Sequence, residues 1–300
     1  MTKITITLPD NNTLVVDKGT TGYQIAQSIS QSLADQSVAV ILNDKMCDVS
    51  LPIQADSTIK IIKKQNDEAL ELIRHDCAHV MAEAVQELFP GTQVTIGPAI
   101  EHGFYYDFAR DKAFTTDDLV EIEKKMRQII EKAEPFVREV WNRDDAVKHF
   151  KKIGEHYKAE IINDLPAEEE VTVYRQGEWL DLCRGPHLPT TKHVGTSFKL
   201  MKVAGAYWRG DENNEMLTRI YGTAWRNDKE LRLYLNMLAE AEKRDHRKIG
   251  KEMKLFTFDE EIGPGLPLWL PNGSVLIEEL EFLAKETEEK AGYSRVKTPH

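Results

Sequence analysis

The sequence predicts an α+β protein with more than one domain. Its 300 residues leave room for two or three domains of the usual ~100–200 residues each. The first part of the chain carries short alternating strand patterns around a single helical pattern. Later segments repeat apolar residues at helical spacing, with short strands between them. Apolar residues make up 41% of the chain, which is ordinary for a protein that forms hydrophobic cores.

The N-terminal part predicts a small domain with one helix lying across a sheet. Apolar residues alternate with threonines near the start, and a turn at 10–12 leads into a return strand at 14–16. A threonine at 20 or 21 can cap a helix whose apolar positions are Ile25, Ile29 and Leu33. Two further strands are predicted at 38–42 and 58–62. The resulting order, ββαββ, describes a small α+β domain.

The remainder of the chain predicts longer helices separated by mixed structure. A polar hinge at 63–67 precedes a helix that Pro90 and Gly91 end. The predicted helices span about 67–89, 116–132, 227–254 and 274–291, and the clearest predicted strands are 92–96 and 171–174.

Composition and charge narrow the class of protein. No apolar run reaches the ~18 residues expected of a membrane span, and the N-terminus lacks the apolar region of a signal peptide. Three widely spaced cysteines argue against a disulfide framework and favour a reducing environment. The net charge of −11 disfavours indiscriminate nucleic-acid binding but leaves room for a local basic face. We therefore predict a soluble, cytoplasmic protein.

Two short motifs carry most of the chemistry. His75 and His79 are four residues apart on a predicted helix and so share one face, opposite the stripe formed by Leu70, Ile73 and Cys77. On this argument neither histidine is needed for the core that the stripe forms. Downstream, Asp181-Leu182-Cys183-Arg184-Gly185-Pro186-His187 cannot form a regular helix and predicts a shaped loop.

Together the motifs offer three imidazoles, a thiol and a carboxylate. The spacing H-x3-H with C-x3-H suits a tetrahedral zinc site, with Asp181 orienting a ligand. The same groups also suit water positioning and proton transfer without a metal. A solvated face is the simplest alternative for the His75 and His79 pair alone. A third segment, Gly103 to Phe108, is rich in aromatic residues, and we take Tyr105 as a candidate substrate contact, with core packing as the alternative.

Several segments occur in the order in which they are found in bacterial threonyl-tRNA synthetases, which the chain resembles along nearly its whole length. These segments are H-D-x-A-H-V-M-A-x-A (75–84), I-G-P-A-I-E-H-G-F-Y-Y-D-F (96–108), D-L-C-R-G-P-H (181–187), A-Y-W-R-G-D (206–211) and L-T-R-I-Y-G-T-A-W (217–225).

The resemblance implies four regions. Residues 1–64 resemble the TGS domain, a ubiquitin-like β-grasp. Residues 65–226 resemble the α+β editing domain, also called the second additional domain, which is shared with alanyl-tRNA synthetase. Residues 227–246 resemble the linker helix. Residues 247–300 resemble the truncated start of a class II catalytic domain, including motif 1 with Pro299 as its characteristic proline.

The resemblance also implies a site and a reaction. The implied catalytic residues are His75, His79, Lys158, Asp181, Cys183 and His187. The implied reaction is hydrolysis of the seryl ester on the 3′ adenosine of tRNA(Thr). The histidines and Lys158 are expected to position water and transfer protons, Asp181 to bind the ammonium or hydroxyl group of serine, and Cys183 to shape the pocket.

Cofactors and partners follow from the same resemblance. Bacterial threonyl editing domains are generally metal-free, so no cofactor is expected in this chain, although alanyl relatives bind zinc with similar ligands and the sequence leaves both open. ATP, magnesium and zinc are expected for the longer parent protein, with tRNA(Thr) as partner and a homodimer formed through the class II catalytic domain. Because the ATP-binding motifs 2 and 3 lie beyond residue 300, this chain is not expected to activate threonine. A free-standing zinc hydrolase and a non-catalytic RNA-binding module remain the alternatives.

Overall fold

The computed structural model describes residues 2–263 and 265–297, which form two compact units. The first unit extends to Leu231 and the second begins at Arg232. Pro299, predicted to belong to motif 1, lies outside the described residues. Within the described ranges, no helix combines the length and apolar character that a membrane span requires.

The N-terminal part of the first unit is a five-stranded sheet carrying two short helices. The strands are β1 (Lys3–Thr7), β2 (Thr13–Asp17), β3 (Ser37–Leu42), β4 (Lys45–Asp48) and β5 (Ser57–Lys63), and the helices are α1 (Gly22–Ile29) and α2 (Gln31–Gln36). The strand order is β2-β1-β5-β3-β4, with β1 and β5 parallel and the other pairs antiparallel. Ile6, Ile25 and Val40 are fully buried between helix and sheet. This architecture confirms the predicted β-grasp.

Two details of this domain differ from the prediction. The single predicted helix is broken at Ser30, which is extended and whose side chain accepts a hydrogen bond from the Leu33 amide. Serine competes with helical hydrogen bonding in this way, so it ends α1 and begins α2. The strand β4 was not predicted; it follows a two-residue turn in which Asn43 and Asp44 both have positive φ.

The rest of the first unit is a larger α+β region. Its helices and strands in chain order are α3 (Glu68–Leu88), β6 (Gln93–Val94), β7 (Ala99–Ile100), β8 (Gly103–Ala109), α4 (Thr116–Lys132), β9 (Phe136–Trp141), α5 (Arg143–Lys152), α6 (His156–Asp164), β10 (Val171–Gln176), β11 (Trp179–Leu182), β12 (Phe198–Tyr207) and β13 (Met216–Ala224). One sheet has the order β12-β13-β8-β6 with β7 paired to β8, and a second sheet has the order β11-β10-β9. The helices predicted at 67–89 and 116–132 are confirmed as α3 and α4.

Helix α3 lies at the centre of the core. Every residue from Asp76 to Val85 is buried, because α3 packs against α4, β8 and β13 and also against β5 of the N-terminal sheet. The predicted division of this helix into an apolar stripe and an opposite free face is therefore incomplete. Along this stretch, the side opposite the stripe faces other protein groups and an internal cleft.

The second unit contains the end of α7 (Asp228–Lys243), followed by α8 (His246–Glu252), β14 (Phe256–Thr257), β15 (Leu268–Trp269) and α9 (Pro271–Lys290). The single helix predicted at 227–254 is interrupted at 244–245. Asp245 caps α8 by accepting a hydrogen bond from the Arg247 amide, which explains the interruption. The helix predicted at 274–291 is confirmed as α9, with Pro271 at its start. The predicted domain boundaries at 64, 226 and 246 remain predictions.

Candidate functional site

Three elements bring the six predicted catalytic residues together. Helix α3 supplies His75 and His79 one turn apart, and α6 supplies Lys158. The end of β11 and the loop after it supply Asp181, Cys183 and His187. The imidazole rings of the three histidines are mutually 4.8 Å apart between centroids, and Nε2 of His75 lies 3.1 Å from Sγ of Cys183.

A buried ion pair forms one side of the cluster. Nζ of Lys158 lies 2.5 Å from Oδ1 of Asp181, and the two side chains are only 3% and 1% exposed. The Tyr106 hydroxyl donates to Oδ2 of Asp181 at 2.7 Å and accepts from Nζ of Lys158 at 2.9 Å. Nδ1 of His79 lies 3.3 Å from the same carboxylate oxygen. Tyr106 therefore connects the lysine, the aspartate and the histidine cluster.

The structure brings Tyr106 to the site and leaves Tyr105 outside it. Successive side chains of β8 point to opposite faces. Tyr106 lies on the buried face with Phe104 and Phe108, whereas the ring of Tyr105 packs under the guanidinium of Arg219, 3.8 Å from its carbon. The alternation Phe104, Tyr106, Phe108 was visible in the sequence and could have indicated which tyrosine faces the cluster.

His187 is held by carboxylates that the sequence argument did not assign to the site. Nδ1 of His187 lies 2.6 Å from Oδ1 of Asp76, and Oδ2 of Asp76 accepts from the Leu188 amide at 2.8 Å. Oδ1 of Asp48 accepts from the His187 amide at 2.7 Å. Nε2 of His187 is buried and has no hydrogen-bond partner among the described residues, and it lies close to the donor atoms of His75, His79 and Cys183.

Burial sets the protonation of the cluster. It lowers the pKa of His75 and of His187 to about 4 in each case and lowers the pKa of His79 well below its usual value. Burial raises the pKa of the Cys183 thiol to about 12. At neutral pH the imidazoles are therefore uncharged and able to accept a proton, and Cys183 is a thiol and not a thiolate.

Five of the six predicted catalytic residues, all except His187, line a cleft of about 740 Å³. This volume lies within the ~300–1,000 Å³ typical of small-ligand sites. Its walls include the loop before β7, with Gly97 and Pro98, and the loop after Cys183. Met46, from the strand β4 of the N-terminal sheet, also lines the cleft. The pocket is therefore built by residues from both parts of the first unit.

The same cluster fits a metal ion. One donor atom from each of His75, His79, Cys183 and His187 lies within 4.8 Å of the others. Tetrahedral zinc needs ligand atoms about 3.5 Å apart, given zinc–ligand bonds of ~2.0–2.3 Å, so a small contraction would complete the geometry. Asp76 contacts His187 and Asp181 contacts His79. In metal sites, carboxylates in such positions orient the histidines that bind the metal.

Comparison with known proteins agrees with this architecture. Residues 4–63 match the family described as the TGS domain, and residues 171–221 match the family described as the threonyl and alanyl tRNA synthetase second additional domain. The chain is 56% identical to a threonine–tRNA ligase of Rhodospirillum rubrum. The matched region includes 99% of this chain and 46% of that ligase. The chain is 52% identical to the threonine–tRNA ligase of Phenylobacterium zucineum and 54% identical to that of Brucella melitensis. It covers 45% of each of these two ligases.

The chain thus spans slightly under half of the length of these relatives. The matched families follow the order of the folded regions, with the β-grasp domain first. The second match contains Asp181 of β11 and His187 of the loop after it. The chain therefore belongs to the threonine–tRNA ligase family and corresponds to the N-terminal part of its members.

Proposed function

We propose that the cleft hydrolyses the ester that joins serine to the 3′ adenosine of tRNA(Thr). The observation that carries this proposal is the convergence of three neutral imidazoles on a buried Lys158–Asp181 pair at the wall of a ligand-sized cleft. The relatives are described as threonine–tRNA ligases, which supplies the substrate class.

A hydrolytic site of this kind compensates for the limited discrimination between serine and threonine during amino-acid activation. Serine lacks one methyl group of threonine, and one methylene or methyl is worth only about 1–3 kcal/mol of discrimination in a binding pocket. A ligase that activates threonine therefore also makes some seryl-tRNA(Thr). A second site that admits serine and excludes the extra methyl removes the wrong product.

The proposed mechanism uses water and proton transfer. A water held by the imidazoles of His75, His79 and His187 gives up a proton to one of them as its oxygen attacks the ester carbonyl carbon. The bond from that carbon to the 3′ oxygen then breaks, and the leaving oxygen takes a proton. Asp181 binds the ammonium or hydroxyl group of serine, while Lys158 positions water and supports proton transfer.

A covalent intermediate is not needed. An ester already has a good leaving group, so positioning and proton transfer account for hydrolysis. The only thiol in the cluster, Cys183, is protonated at neutral pH because burial raises its pKa to about 12, and a thiol is a poor nucleophile. Cys183 contributes the shape of the pocket and a contact with His75.

The longer protein is proposed to attach threonine to tRNA(Thr) with ATP, using magnesium and zinc outside this chain, and to form a homodimer through its class II catalytic domain. The basis is the description of the relatives, of which this chain covers 46% or less in the comparisons above. For this chain alone, we expect no threonine-dependent ATP–pyrophosphate exchange, and a measured exchange from pure protein would contradict that expectation.

The test of the proposed function compares two substrates. The chain is incubated with seryl-tRNA(Thr) and with threonyl-tRNA(Thr), and release of each amino acid is followed. Rapid loss of serine with slow loss of threonine is expected. Equal rates would contradict the selectivity, and tight tRNA binding without release of either amino acid would favour an RNA-binding module.

Zinc-assisted hydrolysis is a second candidate, favoured by the tetrad of donor atoms from His75, His79, Cys183 and His187. If three of these four groups held a zinc ion, the fourth position would be left to a water, and the ion would lower the pKa of that water enough to supply hydroxide. Metal analysis of the purified chain separates the two candidates. Stoichiometric zinc and loss of hydrolysis on chelation favour the metal, whereas a metal-free and active protein favours the imidazoles alone.

A further inference from the structure

We propose that Asp48, a residue of the N-terminal β-grasp domain, is a positioning residue of the hydrolytic cleft. This inference rests on the proposed function and deepens it, because it assigns to the TGS domain a share in the geometry of the site. Asp48 ends strand β4 and is 8% exposed. It lies within the segment that matches the TGS family and outside the segment that matches the second additional domain.

Both carboxylate oxygens of Asp48 accept hydrogen bonds from residues that pack beside the cleft. Oδ1 accepts a hydrogen bond from the His187 amide at 2.7 Å, and Oδ2 accepts one from the Tyr174 hydroxyl at 2.8 Å. Hydrogen bonds to a carboxylate are stronger than neutral ones. One β-grasp side chain therefore fixes both the backbone that carries His187 and the ring beside it.

Tyr174 transmits this constraint to the loop. It stands on β10 opposite Asp181 of β11, and its ring centroid lies 4.1 Å from that of His187. Gly185 lies against the Tyr174 hydroxyl, at a φ of +67°, where a Cβ would collide with the hydroxyl oxygen. The turn at Gly185 and the imidazole of His187 are thus packed around a ring whose hydroxyl is bound to Asp48.

The loop is held from two sides. Asp76 of α3 binds Nδ1 of His187 and the Leu188 amide, and Asp48 binds the His187 amide. With both in place, Nε2 of His187 stays directed into the cluster. Loss of Asp48 leaves the ring attached to Asp76 but frees the backbone that carries it, and a shift of ~1 Å in a catalytic group can cost about 10²-fold in rate.

The same hairpin contributes to the cleft wall, since Met46 of β4 lines it. Met46 also packs against the core formed around α3. The β3–β4 hairpin is therefore in contact with the site at two places, one behind His187 and one in the wall of the cavity.

The test uses the whole chain with Asp48→Ala, Asp48→Asn and Tyr174→Phe, and with Asp44→Asn as a matched control. Asp44 is an exposed carboxylate on the same hairpin. Asparagine at 48 can still accept from the His187 amide and donate to the Tyr174 hydroxyl oxygen, whereas alanine does neither.

For Asp48→Ala we expect kcat for seryl-tRNA(Thr) to fall about 10–100-fold with KM nearly unchanged. Asp48→Asn should recover most of the rate, and Asp44→Asn should match the parent. Adding Tyr174→Phe to Asp48→Ala should cost little more, because both changes remove the same hydrogen bond. The His187 amide proton should also exchange with solvent faster in Asp48→Ala than in the parent.

The outcomes separate the inference from the function on which it rests. If the parent protein does not hydrolyse seryl-tRNA(Thr), the proposed function is wrong. Amide exchange at His187 is then the one measurement that tests the positioning role of Asp48. If Asp48→Ala leaves that exchange and kcat at parental values, the inference is wrong. It is equally wrong if kcat per folded molecule is parental and activity falls only as far as the protein unfolds.

Discussion

The buried Lys158–Asp181 pair gives the sharpest test of how the cleft is built. Both side chains are almost completely inaccessible to solvent, at 3% and 1% exposure. Removing one member of such a pair leaves an uncompensated charge in the interior, which costs about 3–5 kcal/mol. We therefore expect Lys158→Met and Asp181→Asn each to lower the free energy of unfolding of the first unit by that amount.

The size of the effect is measurable. In a unit of 231 residues, each kcal/mol corresponds to a shift of about 2–4 °C in the melting temperature. Each single variant should therefore melt ~6–20 °C below the parent. Four of the five tryptophans lie in the first unit, so tryptophan fluorescence during urea or thermal unfolding reports mainly on it.

The double variant Lys158→Met/Asp181→Asn separates the charge effect from simple loss of packing. It contains no unpaired charge, and the asparagine oxygen can still accept from the Tyr106 hydroxyl, so we expect a loss of only about 1–2 kcal/mol. Hydrolysis of seryl-tRNA(Thr) should nevertheless be absent, because both functional groups are gone.

The control is Lys148→Met, which breaks a solvent-exposed pair with Asp145, whose side chains are 78% and 74% exposed. Exposed pairs contribute little, so the expected change is below about 0.5 kcal/mol. Losses that simply add in the double variant would refute the argument from buried charge. A double variant that hydrolyses at the parental rate would refute the assigned roles.

Three further predictions follow from the protonation states. Because burial lowers the pKa of His75 and His187 to about 4, hydrolysis should persist from pH 7 down to about pH 5 and decline below it; a midpoint near pH 6.5 in initial rates would contradict this. Burial raises the pKa of Glu83 to about 7, so its contribution to stability is present below pH 4.5 and lost as the pH rises through about 7. Glu83→Gln should therefore raise the unfolding free energy by about 1–3 kcal/mol at pH 8 and by little at pH 5, measured by urea unfolding. Cys183→Ala should keep hydrolysis within about tenfold of the parent, and mass spectrometry of acid-quenched reactions should show no seryl thioester; an adduct would establish nucleophilic catalysis.

Local signals in the sequence predicted local structure well. The hairpin at the start of the chain and the helix α4 were predicted because turn residues and helical spacing act over three or four positions. Helix α4 has Thr115 as its cap, with the side chain accepting from the Asp118 amide. Two predicted helices were drawn too long, one across Ser30 and one across Asp245. In both cases the apolar spacing continued across a residue whose own side chain ends or begins a helix.

The residues of the site also divide into those that local spacing predicted and those that it did not. His75 and His79 were predicted as neighbours because a helix fixes residues four apart. Asp48 and Asp76, which hold His187, lie 139 and 111 residues away along the chain, and neither carries a spacing signal that links it to that histidine. The loop motif supplied Asp181, Cys183 and His187, and the resemblance to a family supplied Lys158. Neither supplied the carboxylates and the tyrosine that hold these residues in place.

Helix α3 shows why a helical-face argument separates catalysis from stability only in part. Both histidines lie away from the stripe of Ile73 and Cys77, as predicted, but the remaining side of the helix is not free. The ring of His79 is 4% exposed and packs edge-on against Tyr106 and Trp179, so a truncation there removes packing as well as a proton acceptor. His75 is only partly buried and contacts Cys183 across the cleft. A loss of activity without loss of stability is thus the expectation for His75→Ala, whereas His79 needs an isosteric change such as His79→Asn or His79→Gln before its chemical role can be measured alone.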